Sequence, residues 1–223
     1  MGWRDLLPPF RYRPIADYGF IRPYVFVVHQ TVGDQDDGAD AVAYMFSRDD
    51  GIRWHWTVGA DGTAWKHAEW NEMLAHALGI NSIAVGVEHD MKPDQRVPEA
   101  MYETSARICA AFCRWLGKEP SREFVIGHDE DHKYGGESTH TDPGPTWDWV
   151  HYMGLVRRAY GGDEEMTDAE KARLEEALQL GREANAQLDG MTLRLRGEPE
   201  PANAGPKRSG WRKADAFLRE PSA

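Results

Sequence analysis

The sequence is poor in cysteine, in positive charge and in long apolar runs. Only two cysteines occur in 223 residues, Cys109 and Cys113, so a disulfide scaffold is excluded. Their spacing of four puts both on one face of a helix, where the expectation is two buried free thiols. Acidic side chains outnumber Lys and Arg by 37 to 26, a net charge of -11. Nucleic-acid binding draws on Lys and Arg neutralising phosphates, and no polybasic stripe is present, so that function is not expected. No apolar stretch approaches the roughly 18 residues of a membrane span, so no membrane insertion is expected. Residues 1–9 lack the apolar segment of a secretory signal, so the expectation is a protein made in the cytoplasm without one.

What is present suits a packed soluble fold. Hydrophobic residues make up 41% of the chain and include nine Trp, enough to build a core. Residues 24–29 form a β-branched and aromatic run that reads as a buried strand ending in His29. Residues 39–48 read as a short amphipathic helix. Residues 52–58 and Thr63–Ala68 read as two strands joined by an Asp61-Gly62 turn. Residues 83–88 form another strand, ending in Glu88. Pro98 opens a helix whose stripe runs through Met101, Ser105, Ile108, Cys109, Phe112 and Leu116, and Gly117 closes it. A brief strand at 124–127 and a helix from about Asp148 to Tyr160 follow. Strands and helices alternate, so the class is α/β, one mixed central sheet flanked by helices.

Gly161-Gly162 marks a boundary, giving a domain over 1–162 and an extension over 163–223. In the extension, Thr167-Asp168-Ala169-Glu170 is a helix-start signature. Leu174, Leu178, Leu188 and Leu195 then follow a coiled-coil-like spacing that could pair chains into a homo-oligomer. The rival readings are a wall-targeting segment and a solvated helix packed on the core. Prolines between 199 and 206 break the pattern, and Trp211–Leu218 reads as a short helix or tail.

The chemistry rests on residues far apart in sequence. His29 ends a strand, His128 follows one, and Asp142 lies in Thr141-Asp142-Pro143-Gly144-Pro145. Two imidazoles and a carboxylate suit a zinc ion with one position left for water. Taken singly, each has an ordinary explanation: a strand-end histidine is usually a satisfied polar residue, and Asp before Pro-Gly is usually a turn residue.

The ordered set resembles the type 2 N-acetylmuramoyl-L-alanine amidase family, which is similar to peptidoglycan recognition proteins. The carrying pieces are Val27-Val28-His29-Gln30-Thr31, Trp54-His55-Trp56-Thr57-Val58 with Asp61-Gly62-Thr63, and Ala75-His76-Ala77. They continue with Asn81-Ser82-Ile83, Val85-Gly86-Val87-Glu88, Gly127-His128-Asp129 and Asp142-Pro143-Gly144-Pro145. The resemblance implies zinc held by His29, His128 and Asp142, with Glu88 orienting or deprotonating the water. It places His140 where some members carry a lysine that steadies the oxyanion, and Trp54 where some carry a tyrosine. Thr31, Trp54, His76 and Asn81 complete an expected substrate-binding set. The implied reaction cleaves the amide between N-acetylmuramic acid and L-alanine in bacterial peptidoglycan. With no signal segment read, the setting resembles a phage or prophage endolysin acting on the cell wall. The competing readings are a non-catalytic peptidoglycan-binding module and a metallo-endopeptidase of the stem peptide. Of the other histidines, His55 reads as an internal hydrogen-bonding residue, and His67, His89, His132 and His151 read as surface or rim residues.

Overall fold

The structure is a computed structural model that describes residues 2–161 apart from 32, 34, 35 and 93. The expected helical extension and its pairing seam lie outside the described residues. The elements in chain order are α1 (Trp3–Leu6), β1 (Phe10–Tyr12), β2 (Val25–Gln30), α2 (Ala39–Ser47), β3 (Trp56–Val58), β4 (Ala64–Lys66) and β5 (Ala84–His89). Then come α3 (Glu99–Leu116), β6 (Val125–Gly127), a 3-10 helix (His128–Tyr134) and α4 (Trp149–Gly161). Six strands form one sheet in the order β1-β4-β3-β5-β2-β6. Only β3 and β4 run antiparallel, as a hairpin around Asp61-Gly62; the other neighbours are parallel. Among the described residues no helix is long and apolar enough to cross a membrane.

Strand alternation divides the side chains between two cores. Phe26 and Val28 of β2, Val85 and Val87 of β5, and Trp56 and Val58 of β3 join the larger core with α3 and α4 residues. Val25 and Val27 point the other way, onto Ala77, Ile80, Ala84 and Ile126. Parity then puts His29 and Glu88 on this second face. That face carries the 74–83 turn, the 3-10 helix and, through Phe46 against His67, helix α2, and the carboxyl ends of β2, β5 and β6 meet beside them. Open parallel sheets favour ligand sites at such strand ends.

Helix α3 follows its sequence pattern. Pro98 sits at its N-cap in extended backbone, and Gly117 closes it at φ 71° while Lys118 N–H bonds Cys113 O at 3.0 Å. That left-handed angle favours glycine. Ile108 and Phe112 are fully buried on the sheet, each contributing about 1.5–3 kcal/mol by removing apolar area from water. Cys109 and Cys113 are buried free thiols.

Three local expectations differ from the fold. The strand expected over 52–58 is regular only from Trp56, because the Trp54 indole N–H turns back to bond Thr57 Oγ1 at 2.7 Å. Between the expected strand at 124–127 and the expected helix from about Asp148, a stretch to which no element is assigned above, residues His128–Tyr134 form a 3-10 helix, which starts where the Glu130 carboxylate accepts the Gly127 N–H at 3.0 Å. Strand β1 carries three exposed residues and no apolar alternation, so nothing in its pattern marked it as a strand.

Candidate active site

His29 at the end of β2 and His128 just past β6 bring their Nδ1 atoms to 3.1 Å. Asp142 reaches both, with Oδ2 3.4 Å from His29 Nδ1 and Oδ1 3.3 Å from His128 Nδ1. All three residues are buried. Ligands about 2.0–2.1 Å from a tetrahedral zinc sit about 3.3 Å from each other, so these separations fit one ion. The donor set of two nitrogens and one oxygen also suits zinc. The cluster is therefore a competent metal site. Asp142 is held from two sides: its carbonyl accepts Asp129 N–H at 3.0 Å and Oδ2 accepts Gln30 N–H at 3.3 Å.

Electrostatics keep the ligands in their binding forms. Burial pushes His29 down to about 4, so its imidazole is neutral at pH 7, against a smaller opposing pull from Asp142. Burial alone would raise Asp142, but the adjoining imidazoles of His128 and His29 hold it well below the usual carboxylate range. Glu88 behaves in the opposite way. Burial, then the charges of Asp142 and Asp90, drive it well above the ordinary value, with the Arg48 cation opposing. Its Oε2 is buried without a hydrogen-bond partner among the described residues. An unpaired carboxylate with a raised pKa beside a metal site is suited to take and return a proton.

His140 is largely exposed at the site mouth. Its ring stacks on His128 with centroids 4.4 Å apart, and its Nδ1 lies 3.4 Å from Asp142 Oδ1. His29, Glu88, His128, His140 and Asp142 thus gather at one place.

The residues expected to contact substrate are placed differently. Trp54 is 3% exposed and its one N–H donor is used by Thr57, so it is an interior strut and not a groove contact. His76 is buried behind His29, with its Nδ1 3.0 Å from His29 Nε2 and its Nε2 3.3 Å from Ala84 O. Because Nε2 must donate to that carbonyl, Nδ1 accepts from His29, which leaves His29 Nδ1 unprotonated and facing the metal position. Asn81 Oδ1 accepts the His76 and Ala77 N–H groups at 2.9 and 2.8 Å, fixing the turn that carries His76. Asn81 also lines a small cavity of about 210 Å³ with Tyr18, Met73, Leu74 and Ala75. Thr31 Oγ1 donates to Asp90 Oδ1 at 2.9 Å beyond the end of β2.

Two histidines expected at the surface are interior residues. His89 is fully buried; its Nδ1 donates to His29 O at 2.7 Å and its Nε2 accepts from Ser105 Oγ at 2.7 Å, tying the ligand strand to α3. His67 donates from Nδ1 to Arg13 O at 2.9 Å and meets Thr57 Oγ1 through Nε2 at 3.0 Å. His55 is internal as expected, bonding Gly86 N and Glu72 O. His132 is exposed, as is His151, which pairs with Glu99.

Comparison with known proteins identifies the family. The family description N-acetylmuramoyl-L-alanine amidase matches residues 20–145. No curated protein sequence matches. Among solved structures, the Staphylococcus aureus hydrolase AmiA in complex with its ligand is similar at 20% identity and TM-score 0.58, covering 69% of this chain and 84% of that one. The endolysin N-acetylmuramoyl-L-alanine amidase LysCS of Clostridium intestinale is similar at 16% identity and TM-score 0.52, covering 67% and 96%. A mutant endolysin from Bacillus subtilis is similar at 17% identity and TM-score 0.50, covering 66% and 98%. With the matched span running from ahead of β2 past Asp142, the chain belongs to the N-acetylmuramoyl-L-alanine amidase family and is an enzyme of that kind.

Proposed function

We propose that the protein is a zinc-dependent amidase that cleaves the bond between the lactyl carbonyl of N-acetylmuramic acid and the L-alanine nitrogen in bacterial peptidoglycan. The observation that carries this reading is the convergence of His29, His128 and Asp142 to 3.1–3.4 Å beside the unpaired Glu88 carboxylate. A cation bound there supplies Lewis-acid polarisation of the amide carbonyl and makes the attacking water more acidic.

The protein's own groups handle the rest. Glu88 takes the proton released as water adds to the carbonyl and gives it to the departing L-alanine nitrogen. Its raised pKa suits both halves of that transfer. His140, at the mouth, is the hydrogen-bond donor for the developing oxyanion. His76 and His89 hold His29 from its ring and its carbonyl, respectively.

The likeness to endolysins favours a bacteriolytic role, with residues 163–223 as a separate segment for wall targeting. Digestion of purified peptidoglycan tests the reaction: new L-alanine amino termini without new reducing ends are expected. New reducing ends would mean a glycosidase. New amino termini within the stem peptide would mean an endopeptidase, and no cleavage with wall binding intact would mean a binding module.

A further inference from the structure

We propose that Asp131 is the positioning residue for His128, closing a carboxylate–histidine–metal relay when the ion is bound. The inference rests on the zinc reading above. His128 faces the ion position through Nδ1, so its neutral ring must carry the proton on Nε2. That Nε2 is buried and has no hydrogen-bond partner among the described residues. A buried donor left unpaired is costly. The carboxylate of Asp131 lies 4.0 Å away, one turn further along the 3-10 helix. It is 1% exposed, and its Oδ1 is also buried and unpartnered. The orphaned Nε2 of His128 therefore faces the Asp131 carboxylate, whose nearer oxygen Oδ2 is 4.0 Å off and whose Oδ1 is free to accept, across a gap that a small shift of the side chain closes.

The surrounding chain is shaped to keep Asp131 there. Gly136 N–H bonds Asp131 O at 3.0 Å, and Ser138 N–H reaches Asp131 Oδ2 at 3.3 Å. A Cβ on Gly136 would lie 2.3 Å from Asp131 Cγ, so only glycine leaves room for the side chain. A carboxylate buried this deeply needs compensation. A divalent cation held at His128 Nδ1, together with the His128 Nε2 proton, would provide it. The two ligand histidines are thus braced by different chemistry. His29 leans on the neutral imidazole of His76, whereas His128 gains a charged acceptor that raises its basicity as a ligand.

The test uses the full chain and zinc alone. Asp131→Asn should raise the zinc dissociation constant roughly 10–100-fold in chelator competition, while the urea midpoint of the metal-free protein stays within experimental error of the parent. In ¹⁵N NMR of the zinc-loaded parent, the His128 Nε2 proton should be visible, downfield and slow to exchange with water. Zinc affinity within twofold of the parent overturns the inference, as does a loss of affinity matched by loss of metal-free stability, which reports a loop-packing role. Should the variant fail to fold, the NMR signal of the parent decides: a rapidly exchanging Nε2 proton overturns the pairing. If the parent itself takes up no zinc, the zinc reading fails and this inference with it, an outcome distinct from a parent and variant that bind equally well.

Discussion

His29 and Glu88 stand opposite each other in register on the parallel strands β2 and β5, on the same face of the sheet. The pairing places one imidazole of the candidate metal cluster and the unpaired carboxylate side by side, on two strands that share backbone hydrogen bonds. In the proposed reaction a rigid pair of this kind would keep the proton acceptor at a fixed distance from the attacking water, which is where positional catalysis gains most. Glu88→Gln keeps the shape and removes the proton acceptor. It should lower kcat by about 10²–10⁴-fold with zinc affinity near that of the parent. Steady-state turnover of muramyl-peptide substrate, with metal content measured on the same sample, checks both halves. Full turnover in the variant would remove Glu88 from the chemistry.

The His140 side chain is largely exposed, stacked on His128 and close to Asp142, while its backbone N–H bonds Ser138 Oγ at 3.0 Å. Its role can therefore be altered with little effect on the fold. His140→Ala should lower kcat by about 10²–10³-fold, the usual result of removing one oxyanion donor. His140→Lys should restore most of it, because an ammonium can donate from the same mouth position. A kcat unchanged in the alanine variant would assign oxyanion stabilisation to another group.

Much of this was legible in the residues. The apolar runs ending in His29 and Glu88, the proline and glycine bounding α3, and the Asp61-Gly62 hairpin state their structure locally. The coming-together of His29, His128 and Asp142 was legible only through the resemblance, because spacing of about 100 residues carries no geometric information. The misread residues fail for a single physical reason. Trp54, His67, His76 and His89 each bury a polar atom against a partner that no local pattern marks, from Thr57 Oγ1 three residues beyond Trp54 to His29 Nε2 against His76 and Ser105 Oγ against His89. A sequence shows the donor but not the acceptor that allows its burial. Strand β1 was missed because an exposed edge strand needs only backbone pairing with β4, which leaves no side-chain signature.

Gly86 offers a test of the brace behind His29. A Cβ there would lie 2.6 Å from His76 Cγ and Nδ1, inside any tolerable contact. Gly86→Ala must push the imidazole away from His29 Nε2 or shift β5. The expected cost is about 1–3 kcal/mol of stability from overpacking, and a loss of zinc affinity larger than that of a core alanine substitution remote from the site. Urea unfolding and chelator competition on the same variant separate the two effects. Unchanged zinc affinity at reduced stability would show that His76 does not set the His29 ring.

Acid should unfold the metal-free protein early. Burial lowers His29, His55 and His67 to about 4, His89 to about 3, and His76 well below its ordinary value. In the unfolded chain each would protonate near pH 6.5. The unfolded state therefore binds more protons than the folded state between these values, and stability falls as pH drops through that window. Glu88 and Asp90 act the other way: burial raises them, Asp90 to about 6, so they hold protons in the folded state and offset part of the slope. Five lowered histidines against two raised acids leave a net uptake of protons on unfolding, so stability falls between about pH 6 and 5. Urea midpoints of the chelator-treated protein at pH 7, 6 and 5 should fall steeply over the last interval. Added zinc should shift the collapse to lower pH, because it binds only the folded protein and favours the neutral form of His29. A midpoint flat from pH 6 to 5 without metal would mean that these rings accept protons inside the folded protein.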